Sequence, residues 1–256
     1  MSTLGKSIRL NRILASQKRR VLTVAVDHMI NYPVGFPKGL LHMNATLAKI
    51  VEGEPDALTM NKGVAMRYWA PYAGQVPLII QSMALRPDEP DFADTATVEE
   101  VIGLGADAIA IAMFVYCDLE MNYLRHLAEV VRIAEPFGLP VIPHIYPLAS
   151  GDEHNTVLHD AENVFYAARV GLEMGADLIK VPYTGDVASF QDIINTLPVP
   201  VVAAGGPRCA TLNDAVVMAQ DIGRAGAAGA TMGRNVWEFD DIPLAIMQLK
   251  QAINVF

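Results

Sequence analysis

Short apolar runs recur along this chain, and longer amphipathic stretches separate them. The runs are Val21 to His28, Ala57 to Asn61, Pro77 to Gln81, Ala108 to Met113, Pro140 to Tyr146, Leu178 to Pro182, Val199 to Ala204 and Ala228 to Met232, eight in all. Runs of this length, bounded by turn residues, read as strands buried on both faces. Between them, Tyr123 to Glu135, Asp160 to Met174, Val187 to Leu197 and Leu212 to Ala225 read as helices. Spread over 256 residues, eight units average about 32 residues, the size of one strand, one helix and their turns. A further helix is expected ahead of the first run, over Gly5 to Arg20. Ile8, Leu10, Ile13 and Leu14 would lie mostly on one side of it, in a structural role at the bottom of the fold.

An internal echo supports the repeat. Gly105-Ala106-Asp107-Ala108-Ile109 resembles Gly175-Ala176-Asp177-Leu178-Ile179, and Ala225-Gly226-Ala227-Ala228-Gly229 is a looser copy. In each, a glycine just past a helix supplies the left-handed cap and a strand follows at once. Strands alternating with helices predict a parallel sheet covered by helices, and eight units predict closure into a (βα)8 TIM barrel. A dinucleotide-binding sheet is the competing arrangement. Gly223, Gly226 and Gly229 are spaced G-x-x-G-x-x-G and precede a strand, which is the wrong spacing on the wrong side.

Composition narrows the partners. Nineteen glycines and 16 prolines are dispersed instead of pooled, so residues 1–256 are expected to form a single domain. A net charge of −9 disfavours nucleic acid as a partner and requires any phosphate to be met locally. The two cysteines, Cys117 and Cys209, form no CxxC and suit a reducing cytoplasm. Met1 to Arg20 is too charged for a signal peptide, and no apolar run reaches the roughly 18 residues of a membrane span.

In a barrel of this kind the functional groups lie at the C-terminal ends of the strands. Those ends carry Asp27 and His28, Asn61 and Lys62, Gln81 and Ser82, His144 and Tyr146, and Lys180. Lys180 is the misfit, because it stands inside the apolar run Leu178-Ile179-Lys180-Val181-Pro182. An ammonium between apolar faces incurs a desolvation cost that favours the neutral amine. A neutral amine is a nucleophile for carbonyls. A strand-end charge that reaches solvent is the plain alternative. Alternation along each strand turns Lys180, His144, Tyr146 and Asp27 inward together, with Ile179, Val181, Ile145, Leu22, Val24 and Val26 toward the helices.

The last two strands end in glycine, at Gly205-Gly206-Pro207 and Gly233-Arg234. Backbone N–H groups there can approach an anion closely, a helix start adds positive dipole, and Arg234 adds charge. Phosphate sites in barrels are commonly built from those two loops. Among the six histidines, His154 and His159 lie near Glu153 and Asp160, but HExxH is absent. No metal and no cofactor is expected.

Several stretches resemble one group of enzymes over nearly the whole chain, in order. They are Gly5 to Ile13, Val24-Ala25-Val26-Asp27-His28, Tyr146-Pro147, Lys180-Val181-Pro182-Tyr183-Thr184-Gly185-Asp186, Gly205-Gly206-Pro207 and Gly233-Arg234-Asn235. The group is the archaeal-type class I fructose-bisphosphate aldolases and their (βα)8 Schiff-base relatives. The resemblance implies that Lys180 forms an imine, Tyr146 transfers a proton and Asp27 stands near the reacting centre. It also implies that the glycine loops hold phosphate and that the enzyme is a homo-oligomer. The sequence departs from the group at Met29, where many relatives carry glycine, and at His144, where the fructose-bisphosphate enzymes tend to carry tryptophan. The expectation is an aldolase acting on a phosphorylated ketose such as fructose 1,6-bisphosphate, with His28 and His144 in the substrate pocket. A transferase or thiolase using the same lysine, and a barrel that only binds sugar phosphate, are the alternatives.

Overall fold

The computed structural model describes residues 4–14, 20–31, 37–86, 91–149 and 156–255. Its strands are β1 (Val21–Ala25), β2 (Ala57–Asn61), β3 (Leu78–Gln81), β4 (Met83–Leu85), β5 (Phe92–Asp94), β6 (Ala108–Val115), β7 (Val141–Pro147), β8 (Ile179–Pro182), β9 (Val201–Ala204) and β10 (Gly229–Met232). Its helices are α1 (Leu4–Ile13), α2 (Met43–Glu52), α3 (Lys62–Tyr68), α4 (Val98–Gly103), α5 (Glu120–Ala134), α6 (Ala161–Glu173), α7 (Val187–Asn195), α8 (Leu212–Arg224), α9 (Arg234–Trp237) and α10 (Ile242–Ile253). Eight of the strands close into a parallel barrel in the order β1-β10-β9-β8-β7-β6-β3-β2. All eight expected runs are barrel strands, and the fold is the (βα)8 barrel. Closure removes the exposed sheet edges that an open sheet would carry.

Alternation divides the core into two layers. Leu22, Val24, Leu58, Met60, Ile80, Ile109, Ile111, Val141, Ile145, Ile179, Val181 and Val201 are buried in the outer layer, which packs against the helices. Val21, Ala57, Ile79, Ala108, Ala110, Ile142, Leu178 and Val202 form the floor of the barrel interior, closed by Ile13 and Leu14. The first helix therefore plugs the bottom, as expected, with Ile13 and Leu14 of its expected apolar face buried, but it ends at Ile13 and leaves Ile8 exposed. Lys6, one heptad before Ile13, is buried as well. Lys6 is held there by Glu135 and by Asp177 at 3.2 Å. Residues 15–19, which the sequence places in the same helix, lie outside the described residues.

The Gly-Ala-Asp echo has a structural cause. Gly105, Gly175 and Gly226 have φ of 72°, 87° and 84°, the left-handed region that glycine enters at little cost. The aspartates complete neighbouring strands. Asp107 Oδ2 accepts the Leu78 N–H at 3.1 Å, and Asp177 Oδ2 accepts the Val141 N–H at 2.9 Å. Asp56 does the same for Leu22 at 2.9 Å. Each carboxylate also meets a cation: Arg12, Lys6 and Lys250, respectively. These buried strand ends thus have their backbone donors satisfied at the bottom, which leaves the top for chemistry.

One element was not expected. β4 and β5 form an antiparallel hairpin after β3, with Ala84 opposite Ala93. Phe92 stacks on Tyr123 of α5 at 5.0 Å, and His126 Nε2 lies 3.1 Å from Asp94 Oδ1. The hairpin places Leu85 at the mouth of the barrel.

Candidate active site

The polar strand ends converge above the apolar floor. Lys180 pairs in register with His144 across β7 and β8, and both are buried. Lys180 Nζ lies 3.5 Å from His144 Nδ1 and 6.0 Å from the centre of the Tyr146 ring. The chain leaves the β1 ladder after Ala25, so Asp27 and His28 reach the mouth beyond the strand, not within it as the sequence suggested. Asp27 is buried, with Oδ1 3.4 Å from His28 Nδ1 and Oδ2 3.4 Å from Gln81 Nε2. Burial pushes the Asp27 carboxyl up. The His28 hydrogen bond and charge, with the charge of Lys180, more than offset it and hold the group well below the usual carboxylate range. Burial, reinforced by the Lys180 charge, holds the His144 imidazole well below its usual range, so the ring is neutral at pH 7.

Two cavities meet at this cluster. The smaller, about 170 Å³, is lined by Asp27, Gln81, Phe114, His144, Leu85 and Asn31, among others. The larger, about 470 Å³, reaches Pro182, Gly205, Gly206, Thr231, Gly233 and Arg234. His28, Tyr146, Val157 and Lys180 line both. Every residue singled out at the strand ends as catalytic or substrate-binding therefore borders one of the two spaces.

The glycine loops are built differently from the simple reading. The Gly205 N–H donates to the Thr231 carbonyl at 2.9 Å and is not available to a ligand. Gly205 is small because a Cβ there would lie 2.9 Å from Met232 Cγ. At Gly233 a Cβ would lie 2.4 Å from His28 Cε1 and 3.0 Å from the Ala25 carbonyl oxygen, so this glycine admits the His28 ring. Gly206 differs from both. Its φ is 64° and nothing crowds its Cβ position; its N–H, like that of Gly233, has no partner among the described residues.

Arg234 Nη2 donates to the Gly206 carbonyl at 3.2 Å. Asn235 is buried between the loops and binds the Gly205 and Pro207 carbonyls and the Cys209 N–H. The helix dipoles contribute less than expected. α9 is one turn long, and the first N–H groups of α8 are met by its own Thr211–Asp214 capping box.

Other strand-end residues fall outside the cluster or support it. Lys62 pairs with Glu100 at 2.8 Å at a half-exposed site. Asn61 Nδ2 donates to the Asp27 carbonyl at 3.2 Å. Asp186 caps α7 through the Ser189 N–H at 2.8 Å and so fixes the turn that follows Lys180. Among the described residues no three His, Cys, Asp or Glu side chains gather as a metal site. His154 and Glu153 lie outside them.

The DeoC/LacD family of aldolases matches residues 21–238. The chain belongs to that family. It is 35% identical to the 2-amino-3,7-dideoxy-D-threo-hept-6-ulosonate synthase of Halobacterium salinarum, over 93% of this chain and 87% of the other. It is 35% identical to the class 1 fructose-bisphosphate aldolase of Thermoproteus tenax, over 73% and 70%. A solved archaeal fructose-1,6-bisphosphate aldolase, with its catalytic lysine covalently bound to a carbinolamine intermediate, superposes with a TM-score of 0.85. It is 28% identical, with 97% of this chain and 99% of that one covered. This aldolase accordingly has the fold of the Schiff-base class I enzymes.

Proposed function

We propose that this aldolase forms or cleaves a C–C bond beside the carbonyl of a ketone that carries one phosphate, through an imine on Lys180. The observation that carries the reading is the position of Lys180 Nζ, buried beside His144 and Tyr146 where the two cavities join. The larger cavity takes the phosphorylated ketone, with its phosphate on the Gly206 N–H and Arg234. The smaller takes the aldehyde.

In cleavage, the neutral Lys180 amine attacks the ketone carbon, and its proton passes to the carbonyl oxygen. Protonation of the carbinolamine hydroxyl and its departure as water leave an iminium, which withdraws electrons from the adjacent C–C bond. The Tyr146 oxygen accepts the proton of the β-hydroxyl as that bond breaks and passes its own proton on to solvent. The hydroxyl oxygen becomes the aldehyde, and the bonding pair becomes an enamine. Protonation and hydrolysis return the amine and release the ketone. Ionised Asp27 orients the hydroxyls of the chain in the smaller cavity. Proton transfer by a positioned side chain contributes roughly 10²- to 10⁴-fold.

The charge of the smaller cavity argues against a second phosphate. Lys180 is the one lysine or arginine among the described residues that line it, and Asp27 faces the same space. An aldehyde without phosphate fits that environment. A Streptomyces griseus relative, 28% identical over 93% of this chain, is a 2-amino-4,5-dihydroxy-6-oxo-7-(phosphonooxy)heptanoate synthase, named for a compound with a single phosphonooxy group.

The test is borohydride reduction with dihydroxyacetone phosphate, fructose 1-phosphate or fructose 1,6-bisphosphate, read by intact mass, beside rates of cleavage. A Lys180 adduct is expected, and the bisphosphate should be cleaved no faster than the monophosphate. Absence of an adduct with all three removes the imine. Preference for the bisphosphate removes the one-phosphate reading alone.

His144→Trp tests the shape of the same cavity. Enlarging this buried ring is expected to cost about 1–3 kcal/mol of stability and to change the ranking of aldehydes condensed with dihydroxyacetone phosphate. An unchanged ranking would make His144 a packing residue.

A further inference from the structure

Gln81 stands at the centre of the cluster, fully buried on β3, and makes four polar contacts. Its Oε1 accepts the N–H groups of Ala112 and Met83, each at 3.3 Å. Two backbone donors on one atom identify that atom as the oxygen, so the amide nitrogen points the other way. There, Nε2 reaches Asp27 Oδ2 at 3.4 Å and His144 Nδ1 at 3.4 Å. The amide nitrogen has no lone pair to accept with. His144 Nδ1 must therefore be the acceptor, and in a neutral ring the proton must sit on Nε2.

We propose that Gln81 is a positioning residue: it locks His144 as the Nε2–H tautomer and holds Asp27 at a fixed distance from it. The consequence is directional. Nδ1, turned to Gln81 and Lys180, is kept free of a proton. An unprotonated Nδ1 beside the Lys180 amine can accept its N–H and so turn the nitrogen lone pair toward the carbonyl carbon. The ionisable groups that act on the ring are Lys180, Asp27 and His28. A Lys180 ammonium would donate to Nδ1 and favour the same tautomer, whereas the free amine, the form that attacks a carbonyl, can accept as well as donate and leaves the tautomer to Gln81. The amide bridge also joins strands that are distant in the chain: β3 to the end of β1 and to β7. The tautomer assignment stands on these contacts alone, whereas its effect on turnover rests on the imine reading.

The experiment separates the two. Ring nitrogen NMR of the ¹⁵N-histidine-labelled enzyme, with His144→Gln to assign the signal, reports which nitrogen carries the proton. The expected result is protonated Nε2 and unprotonated Nδ1. Hydrogen exchange from dihydroxyacetone phosphate into deuterated water then reads imine and enamine formation without an aldehyde. Gln81→Met removes the donor. Gln81→Glu does so while keeping an oxygen for the Ala112 and Met83 N–H groups, which protects the fold. Both are expected to slow exchange by roughly tenfold to a hundredfold, as when an orienting partner behind a working group is removed. The dissociation constant for inorganic phosphate should stay within twofold. A proton on Nδ1 in the unaltered enzyme overturns the proposal, as does exchange within threefold of it in both variants. Absence of exchange in the unaltered enzyme would count against the imine and leave the NMR result to decide the tautomer.

Discussion

Lys180→Arg is expected to lower turnover by roughly 10³-fold or more, the scale on which an enzyme loses its nucleophile. The guanidinium keeps a positive charge beside Asp27 and His144 but cannot form an imine at neutral pH. Electrostatic and phosphate-binding functions should therefore survive while covalent chemistry stops. Borohydride in the presence of dihydroxyacetone phosphate should leave the variant's mass unchanged. Inorganic phosphate should still bind, because its expected partners are the Gly206 N–H and Arg234, not the amine. Arginine is bulkier at this buried position, so Lys180→Met serves as a second variant of similar length; it removes the charge as well. Lys62→Arg is the control. Lys62 is salt-bridged to Glu100 at the start of α3 and borders neither cavity, so its substitution should leave the adduct intact. Normal turnover in Lys180→Arg, or an adduct mapped to Lys62, would sink the mechanism while leaving the barrel untouched.

The features legible in the sequence were those that depend on local alternation. Barrel strands are buried on both faces, so each showed as an apolar run, and the phase of each run turned Lys180, His144 and Tyr146 inward together. The β4–β5 hairpin did not show. Its strands are three residues long, too short for a period, and they are held by Tyr123 and His126 from α5, a helix far along the chain. The first helix buries Ile13 and Leu14 of its expected apolar face but leaves Ile8 exposed. It buries Lys6 as well, and the distant Glu135 and Asp177 help to make a buried lysine acceptable there.

The glycines and Gln81 carry the same lesson. Three glycines at two strand ends look equivalent in sequence. In space one avoids Met232, one admits the His28 ring, and Gly206 alone of the three combines a left-handed φ with an uncrowded Cβ position. Gln81 read as one polar strand end among several, because its partners come from β1, β4, β6 and β7. A side chain's reach across strands is a tertiary fact, and no spacing within one strand encodes it.

Gly206→Val is expected to weaken inorganic phosphate and phosphorylated ketones by roughly tenfold to a hundredfold, about the loss of one charge-assisted hydrogen bond. Gly206 has φ of 64°, where a side chain that branches at Cβ meets its own backbone. A left-handed residue of ordinary chirality costs roughly 1–2 kcal/mol, and valine sits at the upper end. No neighbour lies within 4 Å of the Cβ position, so the loop can relieve the strain by rotating instead of unfolding. Rotation turns the Gly206 N–H away from the cavity and pulls its carbonyl off Arg234 Nη2, which frees the guanidinium from the geometry that the loop imposes. Asn235 still ties Gly205 and Pro207, so the damage stays local and the barrel should melt within a few degrees of the unaltered protein. Dihydroxyacetone and fructose, which lack the phosphate, should react with Lys180 as slowly as before. The measurement is the ratio of kcat/KM for phosphorylated and unphosphorylated ketone in each protein. A selective loss for the phosphorylated partner assigns the anion to Gly206 and Arg234. An equal loss for both would mean that the loop shapes the whole cavity and that the phosphate is held elsewhere.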